Sequence, residues 1–130
     1  MRLLVDTQVA LWMTLGESRL NDEALAALTA SGNTRFFSAA SVWEIAVKWR
    51  LGKLPLPDHP RPWVSRMMRE LALEALPMRH DHAVLAADLP NHHNDPFDRI
   101  LVAQAQVEEL TVVTSDRLLG KYDIEVLAAN

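Results

Sequence analysis

Cysteine is absent from this sequence of 130 residues, which excludes both a disulfide framework and a thiolate metal site. An excess of basic residues is also absent, because the formal net charge is −4, so there is no general electrostatic reason to bind nucleic acid. No apolar run approaches the ~20 residues of a membrane helix, and there is no internal repeat or low-complexity tract. We therefore expect a cytoplasmic protein without a membrane segment.

Hydrophobic residues make up 49% of the chain, enough for a full core, and they follow alternating strand and helix patterns. Strands are predicted over residues 3–5, 35–38, 73–76, 111–114 and 124–127. Helices are predicted over 9–15, 22–30 with Asn21 as N-cap, from Ser38 or Ser41 to about 51, and over 63–71, 80–87 and 96–109. This alternation predicts one α/β domain over residues 1–130, with a mainly parallel sheet and helices on both faces.

Four acidic residues interrupt or border the apolar segments: Asp6, Glu44, Asp98 and Asp116. An ionised carboxylate in apolar surroundings costs several kcal/mol unless another group compensates it. Four such groups suggest one shared compensator, and a divalent cation is the simplest candidate because hard cations bind carboxylate oxygens.

The predicted topology gives these acids a common location. Asp6 and Asp116 come directly after strands, and ligands of parallel α/β sheets bind beyond the carboxyl ends of the strands. Glu44 and Asp98 lie in the first or second turn of helices. If those helices begin at the same edge of the sheet, the four side chains converge.

Each acid also has a purely structural interpretation. Asp6 and Asp116 could cap the segments that follow them, and Asp98 could interact favourably with the dipole of its helix. These interpretations do not explain why each predicted element at one sheet edge supplies an acid.

Glu44 has two further structural interpretations. Ser41 and Glu44 have the spacing of a capping box, and Lys48 follows Glu44 at the distance of a favourable helical ion pair. Lys48 and Arg99 both neighbour one of the four acids, so they could pair with an acid or hold a phosphate.

Two pairs of histidines suggest a competing zinc site. His80 and His82 are two residues apart, which places them on different faces of a helix, and His92 and His93 lie in a predicted loop. Neither pair has a convincing zinc-binding arrangement.

Four short segments resemble, in order and spacing, the motifs of one known family. They are LLVDT at 3–7, SVWEIAVK at 41–48, DPFDR at 95–99 followed by the apolar run 100–105, and VTSD at 113–116. Together they resemble a PIN domain, and specifically the VapC-type toxins of bacterial toxin–antitoxin pairs. The resemblance spans nearly the whole chain.

The resemblance implies a three-layer α/β/α PIN-like fold and ribonuclease activity that depends on Mg²⁺ or Mn²⁺. It places the catalytic and metal-binding acids at Asp6, Glu44, Asp98 and Asp116, with outer positions at Thr7, Asp95, Thr114 and Ser115. The family's hydroxyl near the last acid falls on Thr114 or Ser115, whereas Asp95 is better interpreted as an N-cap. The implied partners are RNA, a cognate antitoxin that covers the acidic site, and a second copy of the chain.

Two other functions are compatible with acids at a sheet edge. One is a magnesium-dependent phosphatase or phosphoacceptor module; a haloacid-dehalogenase-like phosphatase would have a second acid two residues after Asp6, where this chain has Gln8. A non-catalytic binding module would use the acids as helix caps.

Overall fold

The computed structural model describes residues 1–16 and 19–130, which form five strands, six α-helices and a short 3-10 helix. The strands are β1 (Arg2–Val5), β2 (Thr34–Ser38), β3 (Leu73–Leu76), β4 (Thr111–Thr114) and β5 (Glu125–Ala128). The helices are α1 (Thr7–Leu15), α2 (Asp22–Thr29), α3 (Ala39–Arg50), α4 (Pro60–Glu70), α5 (His80–Asp88) and α6 (Pro96–Glu108). The 3-10 helix spans Arg117–Lys121.

The five strands form one sheet in the order β3-β2-β1-β4-β5, and every neighbouring pair is parallel. The central strand β1 is in register with both neighbours, since Leu4 lies opposite Phe36 of β2 and Val112 of β4. The carboxyl ends of β1, β2 and β4 therefore lie side by side at one edge.

Apolar side chains of β1 alternate between the two faces of the sheet, as strand geometry requires. Leu3 and Val5 pack into a core that includes Ile45 of α3 and side chains of α1, α2 and α4. Leu4 packs into a second core that includes Leu101 of α6 and side chains of α5. The predicted three-layer α/β/α arrangement is confirmed.

Two helix starts follow directly from polar side chains in the sequence. Asn21 accepts a hydrogen bond from the backbone N–H of Ala24, so the predicted N-cap of α2 is confirmed. At α3 the hydroxyl of Ser38 accepts from the N–H of Ala40 at 3.0 Å. Ser41 lies inside that helix, so its assignment as a cap is wrong.

Helix α4 begins at Pro60, whereas the sequence pattern predicted a start near Trp63. Proline is well suited to the first helical position because the N–H that it lacks would have no partner there. The ring of His59 caps this turn by accepting from the N–H of Arg61. Within the described parts of the chain, no helix has the length and apolar character needed to cross a membrane.

Candidate functional site

The four acids predicted to converge lie where the parallel strands have their carboxyl ends. Asp6 follows β1, and Asp116 follows Ser115 at the end of β4. Glu44 lies in the second turn of α3, and Asp98 lies in the first turn of α6. All four residues line the same cavity.

This cavity has a volume of about 360 Å³, within the range of about 300–1,000 Å³ for small-molecule sites. Its polar wall comprises the acids Asp6, Glu44, Asp95, Asp98 and Asp116, the lysines Lys48 and Lys53, and Thr7, Gln8 and Ser115. Five acids and two lysines leave the wall with an excess of acidic groups.

Asp6 is buried and held by a hydroxyl of the neighbouring strand. Thr114 Oγ1 donates to Asp6 Oδ2 at 2.7 Å and accepts from the N–H of Asp116 at 3.0 Å. Burial raises the pKa of Asp6; the hydrogen bond from Thr114 opposes this rise, and the charge of Glu44 adds to it. Asp6 makes no side-chain cap to α1, so its interpretation as a cap is wrong.

Glu44 is also buried, and its partner is the lysine one turn later. Lys48 Nζ lies 2.6 Å from Glu44 Oε2, and this hydrogen bond raises the pKa of Lys48. The predicted ion pair is therefore confirmed. The capping box with Ser41 is wrong, because Ser41 is already the third residue of the helix.

Asp98 also lies in surroundings that disfavour its charged form. Burial raises the pKa of Asp98 to about 7, with a further contribution from the negative charges of Asp6 and Asp95. The cluster therefore resists full ionisation near neutral pH. A bound cation would remove this conflict, since it favours the charged form of every carboxylate around it.

Asp116 both caps a helix and lies at the cavity, the two roles considered for it from the sequence. Its Oδ1 accepts from the N–H of Leu118 at 2.9 Å, which caps the 3-10 helix. Its Oδ2 lies 2.7 Å from Nε2 of His93, and the same nitrogen lies 3.2 Å from Asp98 Oδ2. Capping and a position on the cavity wall are thus compatible.

The four residues predicted around the acids have different environments. Thr114 supplies the hydroxyl that contacts Asp6, while Ser115 lines the cavity. Thr7 is buried at the wall, and its hydroxyl has no hydrogen-bond partner among the described residues. Asp95 caps α6 by accepting from the N–H of Phe97, as predicted, and also lines the cavity.

His93 is the site residue that sequence reasoning missed. From the sequence it is only half of a weak zinc pair, whereas the structure places its ring against Asp98 and Asp116. His80 is exposed and His82 is fully buried against Glu108, so the other pair is divided between two environments. The signal that could have found His93 is its place in the loop leading into α6, whose first turn carries Asp98.

Arg99 has a role that neither sequence interpretation anticipated. Its guanidinium donates to the carbonyl oxygens of Ala86, Leu89 and Pro90 at 2.7, 2.9 and 3.1 Å. These carbonyls belong to the end of α5 and the loop after it. In place of an ion pair with a neighbouring acid, Arg99 therefore makes hydrogen bonds that fix the loop that carries His93.

Comparison with known proteins adds a family and a fold. Residues 3–125 match the family model of the PIN domain. Ribonuclease VapC16 of Mycobacterium tuberculosis (strain ATCC 25618 / H37Rv) is 44% identical over 50 residues. That segment covers 38% of this chain and only 36% of the relative.

Two solved structures have a similar fold. VapBC2 from Rickettsia felis, bound to a DNA fragment from its promoter, has a TM-score of 0.72 at 14% identity and covers 100% of both chains. VapBC-5 from Mycobacterium tuberculosis has a TM-score of 0.64 at 22% identity and covers 98% of both chains. The motif resemblance is confirmed by the family match, which spans almost the whole sequence: the chain belongs to the PIN domain family.

Proposed function

We propose that this chain is a metal-dependent endoribonuclease that acts as the toxin of a toxin–antitoxin pair. The observation that carries the proposal is the convergence of Asp6, Glu44, Asp98 and Asp116 on one cavity. These four acids come from four different elements, and the resulting carboxylate repulsion has no structural benefit of its own.

The donor set fits a hard divalent cation. Its four acids offer oxygen ligands, which Mg²⁺ and Mn²⁺ prefer. Burial and the negative charges of Asp6 and Asp95 raise the pKa of Asp98, and a bound cation would offset both effects. Asp6, Glu44, Asp98 and Asp116 would hold one or two Mg²⁺ ions, or Mn²⁺ in their place. When bound, such an ion supplies charge neutralisation at the phosphodiester and activates a water for in-line attack.

Residues of the chain itself prepare the acids for this role. Thr114 holds Asp6 through Oδ2, and Lys48 holds Glu44 through Oε2, so both carboxylates are oriented at the cavity wall. Lys53 is exposed at the cavity wall, where its ammonium group can attract the RNA backbone. Because this route does not use the ribose 2′-hydroxyl, the products carry a 5′-phosphate and a 3′-hydroxyl.

The comparisons support the substrate and the partner. The relative with the matching segment is named a ribonuclease, and the two structures described above are named VapBC. We infer that RNA is the substrate and that an antitoxin covers the cavity and silences it. A single domain over residues 1–130, a homodimer and a cytoplasmic location complete the proposal.

The two alternatives have weaker support. The phosphatase hypothesis lacks its second acid, because Gln8 occupies that position and lines the cavity. Trapping an acid-labile phosphoryl group on Asp6 would favour it. The non-catalytic module needs the acids as caps, but neither Asp6 nor Glu44 caps a helix.

An RNA cleavage assay tests the proposal. The purified chain, free of any antitoxin, is incubated with a mixed RNA pool and Mg²⁺ or Mn²⁺, beside a chelated control. Asp98→Asn removes one cavity acid, and Asp88→Asn is the matched control because Asp88 is exposed and does not line the cavity. We expect cleavage by the wild type and Asp88→Asn that is lost with Asp98→Asn and with chelator. Failure of the folded, metal-binding wild type to cleave any RNA would contradict the proposal.

A further inference from the structure

His93 lies between two acids of the cavity that come from different parts of the chain. Its Nε2 is 2.7 Å from Oδ2 of Asp116, after β4, and 3.2 Å from Oδ2 of Asp98, on α6. The imidazole side chain is only 13% exposed. A single ring nitrogen therefore contacts both carboxylates in a mostly buried position.

The other ring nitrogen determines which nitrogen carries the proton. The backbone N–H of Asp95 donates to His93 Nδ1 at 3.0 Å. A backbone N–H can only donate, so Nδ1 must be the acceptor and carries no hydrogen. In the neutral imidazole the hydrogen then sits on Nε2, and the Nε2–H group donates to Asp116.

The loop that carries His93 is fixed on both sides. The hydroxyl of Tyr122 accepts from the N–H of His93 at 2.9 Å and donates to the carbonyl of Pro90 at 2.9 Å. Arg99 donates to carbonyls of the same loop, including that of His93 at 3.3 Å. The ring is held in position before any ligand enters the cavity.

We propose that His93 is a positioning residue: its Nε2–H donates to Asp116 and holds that carboxylate, beside Asp98, toward the cavity, which leaves the ligation of a cation to oxygen atoms. This inference rests on the proposed metal-dependent function. An alternative is a three-residue metal site formed by His93, Asp98 and Asp116, because their potential ligand atoms lie within 4.8 Å of one another. The proposed role of His93 excludes this alternative. A ligating imidazole nitrogen must be unprotonated, and the contact from Asp95 assigns the proton to Nε2.

Two substitutions separate the roles of the two ring nitrogens. In His93→Asn the side-chain oxygen can take the place of Nδ1 and accept from the N–H of Asp95, but the donor to Asp116 is lost. In His93→Gln the amide N–H group reaches toward the position of Nε2 and keeps that donor. His80→Asn is the control, since His80 is exposed and does not line the cavity.

The experiment measures Mn²⁺ binding by the decrease of the free-ion electron paramagnetic resonance signal, without RNA. Removal of a group that orients a metal-binding side chain typically lowers metal affinity by about 10- to 100-fold. We expect His93→Asn to lose about tenfold or more, and His93→Gln to stay within about threefold of wild type. His80→Asn should match wild type. Two-dimensional ¹H–¹⁵N spectra of the metal-free wild type should show the His93 proton on Nε2.

The outcomes distinguish this inference from the proposed function. If the wild type binds Mn²⁺ and cleaves RNA but His93→Asn binds Mn²⁺ equally well, the positioning role is wrong and the nuclease proposal stands. A proton on Nδ1, or equal loss of affinity in both His93 variants, would also overturn it and favour ligation or a general effect on the loop. A folded wild type that binds no Mn²⁺ would overturn both the inference and the proposed function.

Discussion

Replacing Asp98 by asparagine should stabilise the metal-free protein at pH 8. Burial and neighbouring carboxylates raise the pKa of Asp98 from 3.8 to about 7, so the folded state binds its proton more tightly than the unfolded state does. The stability that this proton contributes is complete below pH 3.8 and is lost as the pH rises through 7. Above pH 7 the folded wild type contains an unfavourable charge that asparagine removes.

The size of the effect follows from the same pKa. A rise from 3.8 to about 7 corresponds to ~4 kcal/mol at 1.36 kcal/mol per pH unit. Because the side chain is 18% exposed and water screens its neighbours, we reduce this to about 2 kcal/mol. Loss of a favourable charge in the first turn of α6 offsets about 0.3–1 kcal/mol. The net gain of about 1 kcal/mol raises the Tm by about 4–5 °C for a chain of this size.

Thermal unfolding in chelator, from pH 4 to pH 8, measures this gain. The variant should exceed wild type at pH 8, and the difference should shrink as the pH falls toward 4. Asp22→Asn is the control for the helix dipole, because Asp22 is an exposed first-turn acid of α2 outside the cavity. A variant of Asp98 that melts below wild type at pH 8, as Asp22→Asn should, would refute the repulsion argument.

Substitutions at three further positions test contacts around the cavity. Thr114→Val keeps the shape of the side chain but removes the donor to Asp6; we expect a loss of about 2 kcal/mol in urea unfolding, whereas unchanged stability would contradict the importance of this bond. Asp95→Ala should cost about 1 kcal/mol through the lost cap, and Asp95→Ser should restore it. If Asp95→Ser restores stability but cleaves RNA more slowly than wild type, Asp95 also acts on the site. Arg99→Lys should cost about 1 kcal/mol and speed amide hydrogen exchange in the loop of His93, because lysine cannot serve several carbonyls at once. Unchanged exchange would show that the loop does not depend on this guanidinium.

Much of the fold was predictable because its signals are local. The β-branched run of β4 and the cap at Asn21 were assigned correctly from sequence. The start of α4 was not predicted correctly, because the two prolines in its first turn are more typical of a loop than of a helix. Strand β5 was predicted one residue early, since its ends are set by pairing with β4 and not by its own pattern.

The acidic cluster was predictable for a different reason. In a parallel sheet the carboxyl ends of all strands lie at one edge. Acids that directly follow different strands are therefore expected to lie close together, even when they are far apart in sequence. The contacts of His93 and Arg99 depend on how one loop folds back between α5 and α6. No periodicity encodes such a loop, so the sequence predicts neither set of contacts.

The chemistry of the cleaved ends tests the central claim most directly. RNA fragments produced by the wild-type chain with Mg²⁺ or Mn²⁺ would be mapped for their terminal groups. In-line attack by water at an acidic metal site predicts 5′-phosphate and 3′-hydroxyl ends. Fragments with 2′,3′-cyclic phosphate and 5′-hydroxyl ends would contradict the account, because they require attack by the ribose hydroxyl and would move the chemistry from the carboxylates to the histidines.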